Sequence, residues 1–305
     1  VSSHTIDSYR DCLNNFINYL EWIENVGRKK ISFHNFEKET IKRYQTWMIM
    51  EQGLAPKICN LRLTAIRAFL EYAAQEYLWI MPVYTDACTI VGVKTTNHAI
   101  EYFEPNEMTA LLAAPSGNNK TDRRNHMILI FLYDTAARVD EARQVKVSDL
   151  HLDAEVPYVT LLGKGRKYRN IPLMDKTILH LKRFLKDFHG SELKTDMPLF
   201  YSKIHGQVHE LSSDTFEKMI KRYAAQCRAG GYSMPDNVHC HMIRKTRAMD
   251  LYREGVPLTH IQQLLGHENI STTSVFYAFA TLDVLAKAME TVNPDNGVKS
   301  WNNPD

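Results

Sequence analysis

Two pairs of residues have the side chains and the spacing to bind a phosphate. His241 and Arg244 are three residues apart in a stretch that we predict to be helical, so the two side chains share one face. An imidazole that accepts a proton and a forked guanidinium can then bind one anion together. Arg138 follows two alanines and precedes Glu141 by three residues, which suits a phosphate-binding arginine held by a carboxylate. Taken alone, either pair is more often a surface polar stripe or salt bridge.

Three further residues stand beside a turn or near the C-terminus. Lys164 lies between two glycines at the tip of a predicted hairpin, from which a mobile lysine could reach a DNA groove. Gly266 is expected to end a helix over Leu258–Leu265 and to leave His267 on the following turn. The last of the three is Tyr277, which lies near the C-terminus of the sequence. Each has a simpler explanation in isolation: a solubilising lysine, a common helix end and a tyrosine that packs in a core.

The elements that must position these residues predict a mainly α protein with a small antiparallel β-sheet. Helices are expected over residues 6–26, 39–51, 56–77, 104–113, 125–135, 175–188 and 212–229, and a hairpin over 156–162 and 168–173. Helical periodicity is lost over residues 79–99, which predicts a connection between two domains. We place a helical N-terminal domain at 1–90, a linker at 91–103, a catalytic domain at 104–292 and a tail at 293–305.

The order of these motifs resembles the signature of the tyrosine recombinase, or phage integrase, family. The matching stretches are TAARVDEARQVKVSDL, GKGRKYRNIPL, HMIRKTRAMDLYREG and HIQQLLGHENISTTSVFY. Nearer the N-terminus, SYRDCLNNFINYLEW and NLRLTAIRAFLEYA are similar to the family's core-binding domain. The resemblance covers most of residues 5–290. It implies a helical core-binding domain followed by the α+β catalytic domain of these enzymes.

The resemblance implies a site-specific DNA recombinase that works through a 3′-phosphotyrosine intermediate, without metal, ATP or another cofactor. In that chemistry Arg138 and Arg244 clamp the phosphate, and His241 is a candidate acceptor for the tyrosine proton. Tyr277 attacks the phosphorus and Lys164 protonates the leaving 5′ oxygen. The implied catalytic set is Arg138, Lys164, His241, Arg244, His267 and Tyr277, with Glu141 orienting Arg138 from behind.

Two positions depart from the family pattern. Lys245 stands where the family usually has a histidine directly after the second arginine. The family nucleophile commonly follows the LGH histidine by nine residues, a position that Phe276 occupies here, while Tyr277 comes one residue later. We take Tyr277 as the nucleophile. Phe276 leaves one alternative open, a catalytically inactive, site-specific DNA-binding regulator of the same fold. The Lys245 variant favours an enzyme of a mobile element over the chromosomal housekeeping type.

The resemblance also implies that both domains contact double-stranded DNA. The expected partners are DNA with inverted-repeat core sites and further copies of the chain, a dimer on each site and a homotetramer on the whole complex. Candidate DNA-contacting side chains are Arg62, Arg67, Lys245 and Arg247, although a solvated helix face explains each one equally well. Residues 282–291 predict a C-terminal helix whose apolar stripe packs either locally or into a neighbouring protomer.

The composition neither predicts nor excludes a nucleic-acid partner, but it does indicate the cellular compartment. There are 37 Lys and Arg against 35 Asp and Glu, a net charge of +2, so any basic surface must come from local clustering. Five cysteines without a CxxC pair indicate a reducing compartment. No apolar run approaches the roughly 20 residues that cross a bilayer, and no signal peptide or added N-terminal arm-binding module is evident. We therefore expect a cytoplasmic, nucleoid-associated bacterial protein without a membrane partner.

Two other classes of protein compete with the recombinase. A type IB topoisomerase-like enzyme would share the chemistry without paired sites, but the two-domain layout and the spacing from LGH to tyrosine favour recombination. The stretch His239-Cys240-His241 suggests a zinc-binding helical protein. Two further ligands would have to come from elsewhere, and His241 is already explained by the phosphate site. We therefore predict no metal site.

Overall fold

The computed structural model describes residues 3–95, 101–117, 119–190 and 195–266. The chain divides into two compact units, Val1–His98 and Ala99–Asp305. Helices dominate both units, and the strands that the structure describes form small antiparallel sheets. The predicted fold class is confirmed. Among the described residues, no helix combines the length and the apolar character needed to span a membrane.

The N-terminal unit is a helical bundle with an aromatic core. Its helices are α1 (Ser3–Trp22), α2 (Lys38–Met50), α3 (Pro56–Glu76) and α4 (Met81–Cys88). Proline in the first turn of α3 lacks only an N–H that the helix would leave unpaired there. The predicted inner face of α3 is confirmed, since Leu63, Ile66 and Leu70 are buried. Phe16 and Tyr44 meet edge to face across the core, with ring centroids 5.0 Å apart.

Helix α4 corrects the expectation that residues 79–99 are irregular throughout. Its eight residues are too few to show a clear helical period, and Pro82 lies in the first turn, where proline is tolerated. Ile80, Ala87 and Ile90 are buried in the N-terminal core. Arg67 fixes the end of this segment, because its Nε donates to the carbonyl of Ala87 at 3.0 Å and its Nη2 donates to that of Ile90.

The second unit surrounds one large apolar core with helices. They are α5 (Pro105–Ala113), α6 (Lys120–Thr135), α7 (Val139–Gln144), α8 (Asp175–Phe184), α9 (Ser213–Ala229), α10 (Cys240–Arg253) and α11 (Leu258–Leu265). Helix α6 begins five residues before the predicted start, because the Asn119 side chain accepts a hydrogen bond from the Asp122 N–H at 2.8 Å. A π-helical turn, Leu185–His189, continues α8 as far as predicted.

Two antiparallel sheets complete this unit. The first has the order β1 (Leu150–His151), β2 (Tyr158–Leu162) and β3 (Tyr168–Pro172), with Leu161 opposite Arg169. The predicted hairpin is therefore confirmed and gains a short third strand. A second hairpin, β4 (Tyr201–Ile204) with β5 (Gln207–Glu210), was not predicted. All four residues of β5 are exposed, so the alternation that marks a half-buried strand is missing.

Candidate functional site

A tight turn after α6 places Arg138. Ala136 adopts the left-handed conformation with φ of 48°, and both Ala136 and Ala137 are buried, so larger side chains would not fit. Arg138 then caps the start of α7. Its backbone N–H donates to Oε2 of Glu141 at 2.7 Å, and its Nη1 donates to Oε1 at 2.8 Å. The Arg138 side chain remains 35 % exposed, so part of it is open to a ligand.

Glu141 is the centre of the site. Its side chain is only 3 % exposed, and the two Nη atoms of Arg169 donate to its two oxygens, each at 2.7 Å. Arg244 Nη1 lies 3.8 Å from Oε2. Burial alone would raise the pKa of Glu141, but hydrogen bonds from Arg169 and Arg138 outweigh it and lower the pKa to about 2. The predicted orienting carboxylate therefore contacts three arginines, and it is ionised at neutral pH.

Arg244 reaches the same carboxylate from α10. Its side chain is 2 % exposed, and its Nη1 donates to the carbonyl of Ala136 at 2.7 Å. Its Nη2 donates to the carbonyl of Leu265, at the end of α11. Burial, with the charge of Arg138 second, lowers the pKa of Arg244 to about 9. The guanidinium is still protonated at neutral pH, so Arg138 and Arg244 supply two positive charges.

His241 begins the turn of α10 that Arg244 ends. As a whole residue His241 is exposed, whereas Arg244 is buried. Loss of solvation among crowded neighbours, followed by the charges of Arg244 and Lys245, lowers the pKa of His241 to about 4. The imidazole is therefore neutral near pH 7 and can accept a proton.

The hairpin tip has the backbone that was predicted for Lys164. Residues Lys164–Arg166 form a single turn between β2 and β3, and the N–H of Gly163 donates to the carbonyl of Lys167 at 2.8 Å. Gly266 ends α11 in the left-handed conformation, also as predicted. The structure describes no side chain for Lys164. His267, Phe276, Tyr277 and the predicted helix over residues 282–291 lie outside the described residues, so their roles stay predictions.

The four candidate DNA-contacting residues differ in their surroundings. The Arg62 side chain is partly exposed, with Nη1 3.5 Å from the hydroxyl of Tyr44. Lys245 is partly exposed. Arg67 is engaged by the carbonyls at the end of α4, as described above. Arg247 Nη2 lies 3.6 Å from Oδ1 of the buried Asp134, and its guanidinium lies over the ring of Tyr133. These contacts give Arg67 and Arg247 structural roles, and DNA contact by any of the four stays an untested prediction.

Arg169 is the residue of the site that the sequence did not single out. It lies in β3, where the exposure of successive side chains alternates, and it shares the inner face with the buried Ile171. A charged residue at a core-facing strand position is unusual unless it is paired. That alternation was the available signal. Within the described residues, no group of three or more His, Cys, Asp or Glu side chains is arranged to hold a metal ion.

Comparisons with known proteins agree with this architecture. A model of the phage integrase family matches residues 101–281, and one of the phage integrase SAM-like domain matches residues 1–86. Tyrosine recombinase XerD of Halalkalibacterium halodurans is 31 % identical over 280 residues, which cover 90 % of this chain and 87 % of the relative.

Solved structures share the fold. XerH site-specific recombinase, bound to palindromic difH substrate in a post-cleavage complex, matches with a TM-score of 0.73 and 21 % identity over 93 % of this chain and 79 % of that one. A lambda integrase tetramer bound to a Holliday junction matches with a TM-score of 0.66 and 18 % identity, over 90 % and 72 % of the two chains. The family match spans more than half of the sequence, and the chain belongs to the phage integrase family of tyrosine-type site-specific recombinases.

Proposed function

We propose that Arg138 and Arg244 clamp the phosphodiester at which this recombinase cuts DNA. The observation that carries the proposal is the convergence of both arginines, from separate helices, on the buried carboxylate of Glu141. A phosphate in transfer gathers negative charge on its non-bridging oxygens, and preorganised positive groups stabilise that charge. Glu141 leaves the Arg138 side chain partly exposed while fixing its direction, which suits a phosphate ligand better than a purely structural ion pair.

In the proposed cleavage step, Tyr277 attacks phosphorus and gives its proton to His241. The neutral imidazole of His241 supports this assignment, because a protonated ring could not accept a proton. The bond between phosphorus and the 5′ oxygen breaks, and Lys164 at the hairpin turn protonates the departing oxygen. His267 adds a hydrogen bond to the phosphate. The 3′-phosphotyrosine link retains the bond energy, so a 5′-hydroxyl of a partner strand reseals the DNA without ATP.

We also propose the DNA substrate, the oligomeric state and the role of each domain in DNA binding. XerH was solved on a palindromic substrate and lambda integrase as a tetramer on a Holliday junction, which supports double-stranded DNA with inverted-repeat core sites and a homotetramer here. The match of residues 1–86 to the SAM-like model supports an N-terminal domain that binds DNA together with the catalytic domain. Such a substrate would place the protein in the cytoplasm, on the bacterial nucleoid.

A nicked suicide substrate tests the mechanism. A duplex that carries the core site is incubated with the protein in EDTA, and covalent complexes are resolved on a denaturing gel. We expect a protein–DNA band that disappears in Tyr277→Phe and persists in Phe276→Tyr. If the wild type binds the site without forming the band, while Phe276→Tyr forms it, Tyr277 is not the nucleophile and the present sequence is a DNA-binding regulator.

A further inference from the structure

Arg169 is a partly buried cation in the strand that leads away from the Lys164 turn. Only 13 % of its side chain is exposed, and its neighbour on the inner face of β3 is the buried Ile171. A charged group in such a place must find its partners inside the protein, because burial of an unpaired charge is very costly. The hydrogen-bond partners of Arg169 therefore indicate its role in the protein.

Three of the donors of Arg169 tie three elements together. Nη1 and Nη2 donate to Oε1 and Oε2 of Glu141, each at 2.7 Å, in the parallel two-bond geometry that is the strongest arginine–carboxylate pairing. Nε donates to the carbonyl of Leu264 at 3.1 Å. Strand β3, the start of α7 and the last turn of α11 are thus joined by one guanidinium.

Two glycines leave the space through which this side chain passes. A Cβ on Gly266 would lie 3.2 Å from Cδ of Arg169, and a Cβ on Gly163 would lie 3.3 Å from its Nη1. These glycines directly precede His267 and Lys164 in the sequence. Arg169 therefore packs against both turns from which these two proposed catalytic residues follow.

We propose that Arg169 is a positioning residue for DNA cleavage. It holds Glu141, which in turn holds Arg138, and it fixes the two turns that precede Lys164 and His267. Nε and both Nη atoms of Arg169 already donate to Leu264 and Glu141, so we assign the residue a role through these neighbours rather than as a phosphate ligand. For its cleavage readout this inference rests on the proposed function, whereas the second readout rests only on phosphate binding by Arg138 and Arg244 and needs no DNA cleavage.

The variants are Arg169→Gln, Arg169→Lys and, as a matched loss of one positive charge, Arg183→Gln. The Arg183 side chain is 84 % exposed on α8. We expect Arg169→Gln to bind core-site DNA within about twofold of the wild type, because Arg169 itself contacts no phosphate and the weakened clamp is one of several phosphate contacts along the duplex. At saturating protein, its single-turnover rate of covalent complex formation should fall about 100-fold, because small displacements of catalytic groups cause losses of this size. Arg169→Lys should recover part of that rate, since it restores the charge without the fork.

Inorganic phosphate gives the readout that needs no DNA cleavage. At constant ionic strength, phosphate should raise the melting temperature of the wild type and of Arg183→Gln by binding Arg138 and Arg244. Arg169→Gln should lose at least half of that rise. Melting curves without phosphate show whether each variant is folded at the assay temperature.

Two results would overturn the proposal. One is an Arg169→Gln protein that cleaves within a few fold of the wild type and keeps its response to phosphate. The other is a loss of DNA affinity that parallels the loss of cleavage and flattens the salt dependence, which would make Arg169 a phosphate ligand. If the wild type forms no covalent complex but Arg169→Gln still loses at least half of the phosphate response, Arg169 positions the phosphate clamp and the proposed cleavage reaction fails.

Discussion

One carboxylate holds Arg138 at both ends, because Glu141 accepts a hydrogen bond from the backbone N–H of Arg138 at 2.7 Å and another from its Nη1 at 2.8 Å. The side chain therefore keeps its direction as long as α7 keeps its first turn. This relationship joins the stability of the site to its activity.

Glu141→Gln should damage both stability and cleavage. The amide keeps the shape of the carboxylate but leaves three neighbouring arginines without their shared negative charge. Breaking a buried ion pair from one side typically costs about 3–5 kcal/mol of unfolding free energy. We expect a loss of this size in urea denaturation at pH 7, with a cleavage rate about 100-fold lower. A variant as stable as the wild type would contradict the assigned role of Glu141.

The same variant should remove an acid-sensitive part of the stability. Folding lowers the pKa of Glu141 from 4.5 to about 2, so its stabilisation is complete above pH 4.5 and is lost as the pH falls towards 2. In this window the wild type should lose about 3 kcal/mol that Glu141→Gln does not lose. Urea titrations of both proteins at several pH values measure the difference. Parallel curves would show that folding leaves the pKa of Glu141 unchanged, which would contradict the hydrogen bonds argued to lower it.

His241 should stay neutral well below its ordinary titration range. Folding lowers its pKa from 6.5 to about 4, so its contribution to stability is present above pH 6.5 and is lost as the pH falls towards 4. An NMR titration of the histidine ring protons should show one resonance with a midpoint near pH 4. His241→Gln identifies that resonance by removing it. A midpoint near 6.5 would contradict the loss of solvation and the neighbouring charges that are argued to lower the pKa of His241.

Arg244→Lys should cost more than the loss of a phosphate ligand. The guanidinium donates to two main-chain carbonyls, whereas an ammonium lacks the planar fork. We expect about 2–3 kcal/mol less unfolding free energy, because a buried acceptor is left unpaired, and severely reduced cleavage. Arg228→Lys is the matched control, since the exposed Arg228 also donates to two carbonyls, those of Pro235 and Asp236. It should lose under about 1 kcal/mol and keep its cleavage rate.

Gly266→Ala should slow cleavage as well as lower stability. A left-handed φ of 61° costs an alanine about 1 kcal/mol, and the new methyl group would press on Arg169 at 3.2 Å. Gly255 is a control in the same unit, with φ of 80° and no atom within 4 Å of a Cβ there. Gly255→Ala should lose stability alone and cleave at the wild-type rate once folded. Equal cleavage rates in the two variants would contradict the contact argued for Gly266.

The sequence was most informative where the pattern is local. The Lys164 hairpin and the end of α11 at Gly266 follow from alternating β-rich residues and from a glycine after an apolar helix, and both were predicted. Arg138 and Glu141 were paired correctly because they are one helical turn apart. Helix α4 was missed because its eight residues are too few to show a helical period. Strand β5 was missed because all of its residues are exposed, so the alternation of a half-buried strand is absent.

Arg169 shows why the rest of the site was beyond the sequence. Its carboxylate partner lies 28 residues earlier, and the carbonyl that it contacts belongs to Leu264, 95 residues later. The local sequence pattern cannot indicate contacts between residues that are so far apart in the sequence. The core-facing place of a charged residue beside Ile171 indicated that a partner exists, but only the folded chain identifies that partner as Glu141.

The two carbonyls that accept from Arg244 also affect the net charge of the proposed clamp. Ala136 directly follows the last residue of α6 and Leu265 is the last residue of α11, and a helix end of this kind carries about half a negative elementary charge. Three guanidinium groups and one carboxylate leave two positive charges, which two helix ends reduce to about one. A phosphodiester carries a single negative charge. In the proposed clamp, these groups together come close to the opposite charge of one DNA phosphate, so they would neutralise it without rearrangement.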